Sequence, residues 1–197
     1  MSVFTELDVV NQGLSLLGQL PVNDVLTPHP AVPSILSHLA IANKQVQARK
    51  WWFNYETTTL IPQSSDSRIQ IPNDVAAVDA CDRRVPVSQR GRYLYNNRDG
   101  TYTFTSPVQV KLHRIVPFSE LPPSAAAYVM TQTMLRMQAG LDGDGVRYRD
   151  ISASDNAALM TLSAEDIRFT QANLLDRTGV QSGLSRINQL SPYPYRR

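Results

Sequence analysis

The sequence predicts an α+β fold: an antiparallel bundle of about four helices with an inserted antiparallel β subdomain. Apolar residues recur at helical spacing near both ends of the chain. Between them, from Trp52 to about Val116, apolar and polar residues alternate, and turn-forming residues break the runs. Helices flanking such a block each have an apolar stripe to bury. They are expected to pack on one another, which makes the block an insertion. The predicted divisions are 1–51 and 118–178 for the helical bundle, 52–117 for the β-rich insertion and 179–197 for an extended C-terminal arm.

Taken in order, Leu7, Val10, Leu14 and Leu17 give a first helix, with Gly18 as its C-terminal cap. Gln19 to Pro30 is a loop. A second helix is expected from Ala31 to Lys50, with Val32, Ile35, Leu39, Ala42 and Val46 on one face and Lys44, Arg49 and Lys50 late in it, where cations suit the helix dipole. Phe53, Tyr55, Thr57, Thr59 and Ile61 alternate as a strand. Ile69 and Ile71 begin another, and Val108, Val110 and Leu112 a last one. Arg92–Tyr95 and Thr101–Thr105 read as a hairpin across Asn96–Gly100. Helical patterning resumes at Pro122-Pro123 and runs to Ala139 or Leu141, where Gly143 and Gly145 end it. A fourth helix is expected to start near Ser154-Asp155 and run to about Arg177.

Composition narrows the classes of function. Leu, Ile, Val and Phe make up about a quarter of the 197 residues, enough to bury a core. No apolar run approaches the ~18 residues of a membrane span, and the first residues carry no basic region followed by an apolar stretch, so neither membrane nor signal peptide is expected. Cys81 stands alone and cannot form an internal disulfide, which points to a reducing setting. A net charge of +2 is too small to mark a nucleic-acid binder. Charged residues are only 18% of the chain, against about 25% for a typical soluble domain. Either part of the surface is destined to be covered, or Ser, Thr, Asn and Gln solubilise it.

Catalytic patterns are missing. His29, His38 and His113 show no metal-ligand spacing, and there is no phosphate-binding glycine loop and no nucleophile elbow. Asp142-Gly143-Asp144-Gly145 fails the calcium-loop pattern, since Val146 and Arg147 occupy positions that need an oxygen ligand and a glycine. The expectation is a protein that is not an enzyme, with no cofactor and no metal. The third predicted helix carries Met130, Met134, Met137 and Leu141 in one stripe, and Arg136 is its only charge from Pro122 to Leu141. Such a helix is either central to its own core or packed on a neighbouring subunit as well.

Between Cys81 and Arg114 the basic residues Arg83, Arg84, Arg90, Arg92, Arg98, Lys111 and Arg114 face only Asp82 and Asp99, and Tyr93, Tyr95, Tyr102 and Phe104 are interleaved with them. This is a partner-contact surface, or a hairpin with an aromatic face and a solvated one. Tyr193, Tyr195, Arg196 and Arg197 end a basic, proline-spaced tail suited to docking in a groove. Arg83, Arg84, Arg92, Arg98 and these four tail residues are the candidate contacts.

Several blocks stand in a specific order and spacing: Val10-Asn11-Gln12-Gly13-Leu14-Ser15-Leu16-Leu17-Gly18 with Pro21-Val22, then Gln45 with Arg49-Lys50-Trp51-Trp52-Phe53-Asn54-Tyr55-Glu56 and Leu60-Ile61-Pro62. Further blocks are Ile71-Pro72-Asn73-Asp74-Val75, Tyr95-Asn96-Asn97 and Phe118-Ser119-Glu120-Leu121-Pro122. In these blocks the chain resembles the tail tubular protein A family, the head-to-tail adaptors of short-tailed phages, over roughly Asp8 to Arg177. Trp52-Phe53-Asn54, where helix gives way to strand, is the best single marker. The resemblance implies a structural tail protein of the virion, assembled in the host cytoplasm. It implies a homo-oligomeric ring, expected to be a dodecamer, below the portal protein and above a nozzle of the tail tubular protein B type. DNA would pass through the lumen without sequence specificity, and tail fibres would attach near the nozzle boundary. It brings no catalytic motif. The rival readings are a tail-associated glycan hydrolase and a free nucleic-acid-binding protein built on the basic hairpin.

Overall fold

The structure is a computed structural model describing residues 4–82, 84–140 and 145–171. Its element order is α1 (Glu6–Leu16), α2 (Val32–Gln47), β1 (Tyr55–Leu60), β2 (Val75–Ala80), β3 (Val87–Arg90), β4 (Tyr93–Asn96), β5 (Val108–Arg114), a 3₁₀ turn (Phe118–Glu120), α3 (Pro123–Gly140) and α4 (Gly145–Gln171). The α+β class predicted from sequence is the class observed: four helices with antiparallel sheets between the second and third, among the described residues.

Thr5 starts α1 with a capping box. Its hydroxyl accepts from the Asp8 backbone N–H (3.2 Å), and the Asp8 carboxylate accepts from the Thr5 N–H (2.7 Å). Gly18 takes φ +68° just past the end, as expected of a C-terminal glycine, and the Gln19 N–H turns back onto the Leu14 carbonyl. Val9, Val10 and Leu14 meet Ile35 and Leu39 of α2 and Ala125, Ala126 and Val129 of α3 in one buried cluster. α3 is the centre of this bundle. It packs on α1, α2 and α4, and no residue from Ser124 to Gln138 is exposed. The neighbours that bury this charge-poor helix belong to its own chain.

A second, separate core holds the β part together: Ile69, Ile71, Val75, Val78, Leu94, Phe104, Val108, Val110 and Leu112. β5 is the middle strand of a three-stranded antiparallel sheet in the order β1-β5-β2. Its burial alternates as the sequence predicts, with Val108, Val110 and Leu112 inward and Gln109 and Lys111 outward.

Several elements differ from expectation. The hairpin is β3–β4, closed by Gly91-Arg92 with Gly91 at φ +61°, and Arg90 faces Tyr93. Asn96–Gly100 is not a hairpin turn. Asn96 folds this loop onto itself, its Oδ1 accepting from the N–H groups of Arg98 and Asp99 (2.9 and 3.2 Å), and only the Asn96–Thr101 pair bridges it. Beyond it the chain leaves to pair Thr103 with Arg68. Ile69 and Ile71 are fully buried, but their segment makes isolated bridges at Arg68 and Gln70 and not a strand.

α2 stops at Gln47, so Arg49 and Lys50 lie beyond it. α4 starts at Gly145, well before Ser154-Asp155, and α3 ends at Gly140. Asp155 caps nothing. It is buried within α4, accepting from Thr131 Oγ1 (2.9 Å) and Gln132 Nε2 (2.8 Å) of α3. The expected end near Arg177, and Leu141 and Gly143, lie outside the described residues.

Candidate assembly surfaces

The chain crosses between its two cores twice, at 48–54 and 114–117, and buried amides bind the crossings together. Asn43 and Gln47, one turn apart on the inward face of α2, are both buried. Gln47 Nε2 donates to Asn43 Oδ1 and to the Val116 carbonyl (both 2.7 Å), and its Oε1 accepts from the Val116 N–H (2.7 Å). Asn43 Nδ2 donates to the same Val116 carbonyl (3.1 Å). On the other crossing Asn54, 2% exposed, donates from Nδ2 to the Gln47 backbone carbonyl (2.8 Å), and its own backbone carbonyl accepts from the Arg114 N–H (2.7 Å).

The aromatic residues of this stretch complete the junction. The Trp51 indole N–H closes the end of α2 on the Val46 carbonyl (2.7 Å). Trp52 donates its backbone N–H to Asp166 of α4 (3.0 Å), stacks on Phe169 at 5.2 Å and meets the Phe53 ring edge-on. This short segment therefore touches α2, α4 and the exit from β5, which gives the Trp-Trp-Phe-Asn run a structural task.

Two ion clusters brace the sheet beside it. Arg114 spans Glu56 of β1 (2.6 Å) and Asp74 before β2, and its hydrogen bond holds the Asp74 carboxyl below the ordinary range. Lys50 adopts φ +67°, a strained backbone for a lysine, and its ammonium lies 2.7 Å from Asp79. Asp79 also meets His113 Nε2 at 3.0 Å, while His113 Nδ1 is buried without a partner.

Burial pushes the His113 imidazole below its usual value of 6.5, although Asp79 opposes the shift. A base with a depressed folded-state pKa binds its proton more readily when unfolded. The stability it contributes is thus present above pH 6.5 and lost as the pH falls below that value. We expect the melting temperature to fall between pH 7 and pH 5 and the slope to become shallower in His113→Gln; equal slopes in the two proteins would refute this assignment.

On the β part, rings and cations stack into one ladder. Arg68 lies over Tyr93 and Tyr102 (5.7 and 5.8 Å to the ring centres), Tyr102 meets Tyr95 at 4.9 Å, and Arg90 covers Tyr95 at 3.5 Å. The tyrosines and arginines thus do not segregate onto two hairpin faces. Of the candidate contacts, Arg84, Arg92 and Arg98 are exposed and lie outside this stack. Arg83, Tyr193, Tyr195, Arg196 and Arg197 lie outside the described residues. Sequence reasoning passed over Arg68, which comes from a distant segment, and over Asn43 and Gln47. The signal for the amides was there: two polar residues at i and i+4 on the face that carries Leu39 and Val46.

Among the described residues no group of three or more His, Cys, Asp or Glu side chains is placed to hold a metal, and no helix is long and apolar enough to cross a membrane. Comparison with known proteins supplies the family. A family profile described as "Tail tubular protein" matches residues 7–172, which spans every element from α1 to α4. The chain belongs to the tail tubular protein family. It is also 32% identical over 178 residues to "Tail tubular protein A" of Klebsiella phage KP34, covering 84% of this chain and 94% of that protein. As a tail tubular protein it is a structural component of the phage tail and of the virion, not an enzyme. Its partners are those of tail assembly. The junction and the Arg–Tyr ladder both fall inside the matched span.

Proposed function

We propose that this tail tubular protein is the ring-forming head-to-tail adaptor that joins the portal to the tail nozzle. In this reading it forms a dodecamer with DNA passing through its lumen, and it is assembled in the host cytoplasm. The observation that carries the reading is the pairing of two unlike bodies through a polar junction: a helical bundle centred on α3, and a β part that carries the Arg–Tyr ladder. An adaptor needs two different surfaces held at a fixed relation, and the Asn43–Gln47–Val116 and Asn54–Gln47 bonds supply that fixation.

The bundle is the part suited to side-to-side contacts between copies. The β part, with Arg84, Arg92 and Arg98 exposed, faces the nozzle and fibres, and the tail residues Tyr193, Tyr195, Arg196 and Arg197 dock on the portal. The division into bundle, insertion and C-terminal arm belongs to the same proposal.

Native mass spectrometry of the chain alone and mixed with its portal tests it. The expected result is a ring, formed alone or on the portal, and weaker portal binding after deletion of Leu184–Arg197. A chain that stays monomeric and does not bind the portal overturns the reading, and unchanged affinity after the deletion removes the arm from it.

A further inference from the structure

α4 has apolar residues on two sides. Its inner side, with Leu162 fully buried and Ile151, Ala158 and Leu159 half-buried, packs into the bundle. Directly opposite, at i, i+4, i+7, i+11 and i+14, stand Ala153, Ala157, Met160, Ala164 and Ile167, all exposed. Met160 is 73% and Ile167 50% exposed. From Ile151 to Ala164 the only charged residue is Asp155, which is buried. A helix face that met water throughout its life would carry charge here.

Apart from the buried α3, a further long stretch carries almost no charge. From Gln19 to Asn43 only Asp24 is charged. In it Leu20 and Leu26 are 85% and 87% exposed, and Ser34, Ser37, Ala40 and Ile41 form the outer side of α2. Between the start of α2 and the ends of α1 and α3 lies a groove of about 310 Å³, lined by Leu17, Ala31, Ser34, Ile35, His38 and Met137. The two surfaces flank α3 differently. α4 is bonded to α3 through Ser124–Glu165 and Thr131–Asp155, whereas α2 is bonded to it through Arg136–Gln45, on another side of the helix.

Resting on the ring reading above, we propose that the outer face of α4 of one copy seats in the α1–α2–α3 groove of the next, with Met160 as the inserted knob and Leu20 and Leu26 packing beside it. Three features select a second copy as the occupant. Residues 151–164 of the α4 face and the lining of the groove carry no exposed charge, so neither leaves an ion unpaired there when water is expelled. One is a knob and the other a groove. They lie on different flanks of the same central helix, and a head-to-tail contact between different patches is what closes identical subunits into a ring.

The test uses full-length chain assembled with its portal, in a Cys81→Ser background so that only introduced thiols react. Met160→Cys combined with Ser34→Cys should give, with a bis-maleimide, a ladder of covalent multimers ending in the closed ring. Each single variant should give none. Met160→Glu should lower the ring population at least tenfold and leave the monomer's circular dichroism and melting unchanged. Dimers from Met160→Cys alone would mean α4 packs on α4 and would overturn the proposal. A ring seen by native mass spectrometry without the ladder, or undiminished in Met160→Glu, would overturn the surface and leave the adaptor reading standing. Absence of any ring on the portal would remove both.

Discussion

Gln47→Leu is expected to destabilise the protein by about 2–4 kcal/mol, a drop of roughly 6–12 °C in melting temperature for a chain of this size. Leucine fills nearly the same volume, so packing is almost conserved and the loss is polar. Three side-chain hydrogen bonds disappear, all of 2.7 Å: those to Asn43 Oδ1 and the Val116 carbonyl, and the one from the Val116 N–H. Val116 is only half-buried, so water recovers part of the cost. The Asn43 amide, itself buried, has no such recourse and loses the partner of its Oδ1.

Gln47→Glu separates the donor role from the acceptor role. It keeps an acceptor for the Val116 N–H but aims a carboxylate oxygen at the Val116 carbonyl from a fully buried site. Its cost at neutral pH should match or exceed that of leucine and shrink on acidification, because the protonated acid can donate again. Denaturant unfolding of both variants at pH 7 and pH 5 decides the matter. A melting temperature within about 2 °C of the parent for Gln47→Leu would mean the junction is held by something other than these amides.

The elements legible in the sequence were those whose period and punctuation agree. α1 shows helical spacing ended by Gly18, and β5 shows alternation over Val108, Val110 and Leu112; both form as read. β2 was not legible, because a register shift between Val75 and Ala77 breaks the two-residue period that would mark a strand. The hairpin was misplaced because Asn96–Gly100 carries stronger turn residues than Gly91-Arg92. Yet an asparagine that bonds its own loop stops that loop from closing a ladder.

Asp155 illustrates the general difficulty. Next to Ser154 it has the chemistry of a cap, and nothing local in the sequence reveals that Thr131 and Gln132 wait for it on another helix. The junction itself was visible only as a change of period at Trp52. Its bonds link Gln47 to Val116 and Trp52 to Asp166, partners too far apart along the chain for any local pattern to predict.

Leu162→Ala should cost a further large amount, about 2–3 kcal/mol, and should loosen α4 before the rest of the bundle. Among the described residues Leu162 is the one apolar side chain that α4 buries completely; Ile151, Ala158 and Leu159 are only half-buried around it. Large-to-small changes in a rigid core reach about 5 kcal/mol, but here the partly exposed neighbours can settle into the gap, which holds the cost toward the lower end. The contacts that remain on α4 are Asp155 with Thr131 and Gln132, Glu165 with the Ser124 hydroxyl at 2.5 Å, Asp166 with the Trp52 N–H, and the largely exposed Phe169 ring on Trp52.

These bonds fix the register of the helix but bury little apolar surface, so amide exchange should accelerate across α4 while α1 and α2 keep their protection. Formation of the proposed ring should fall as well, since the outer face of α4 is presented correctly only while the inner face is docked. That sets Leu162→Ala apart from Met160→Glu. Both are expected to reduce the ring, but only the inner substitution should lower the melting temperature of the monomer. If Leu162→Ala melts like the parent, α4 is not held by its inner stripe, and a rigid outer face could not be inherited from it.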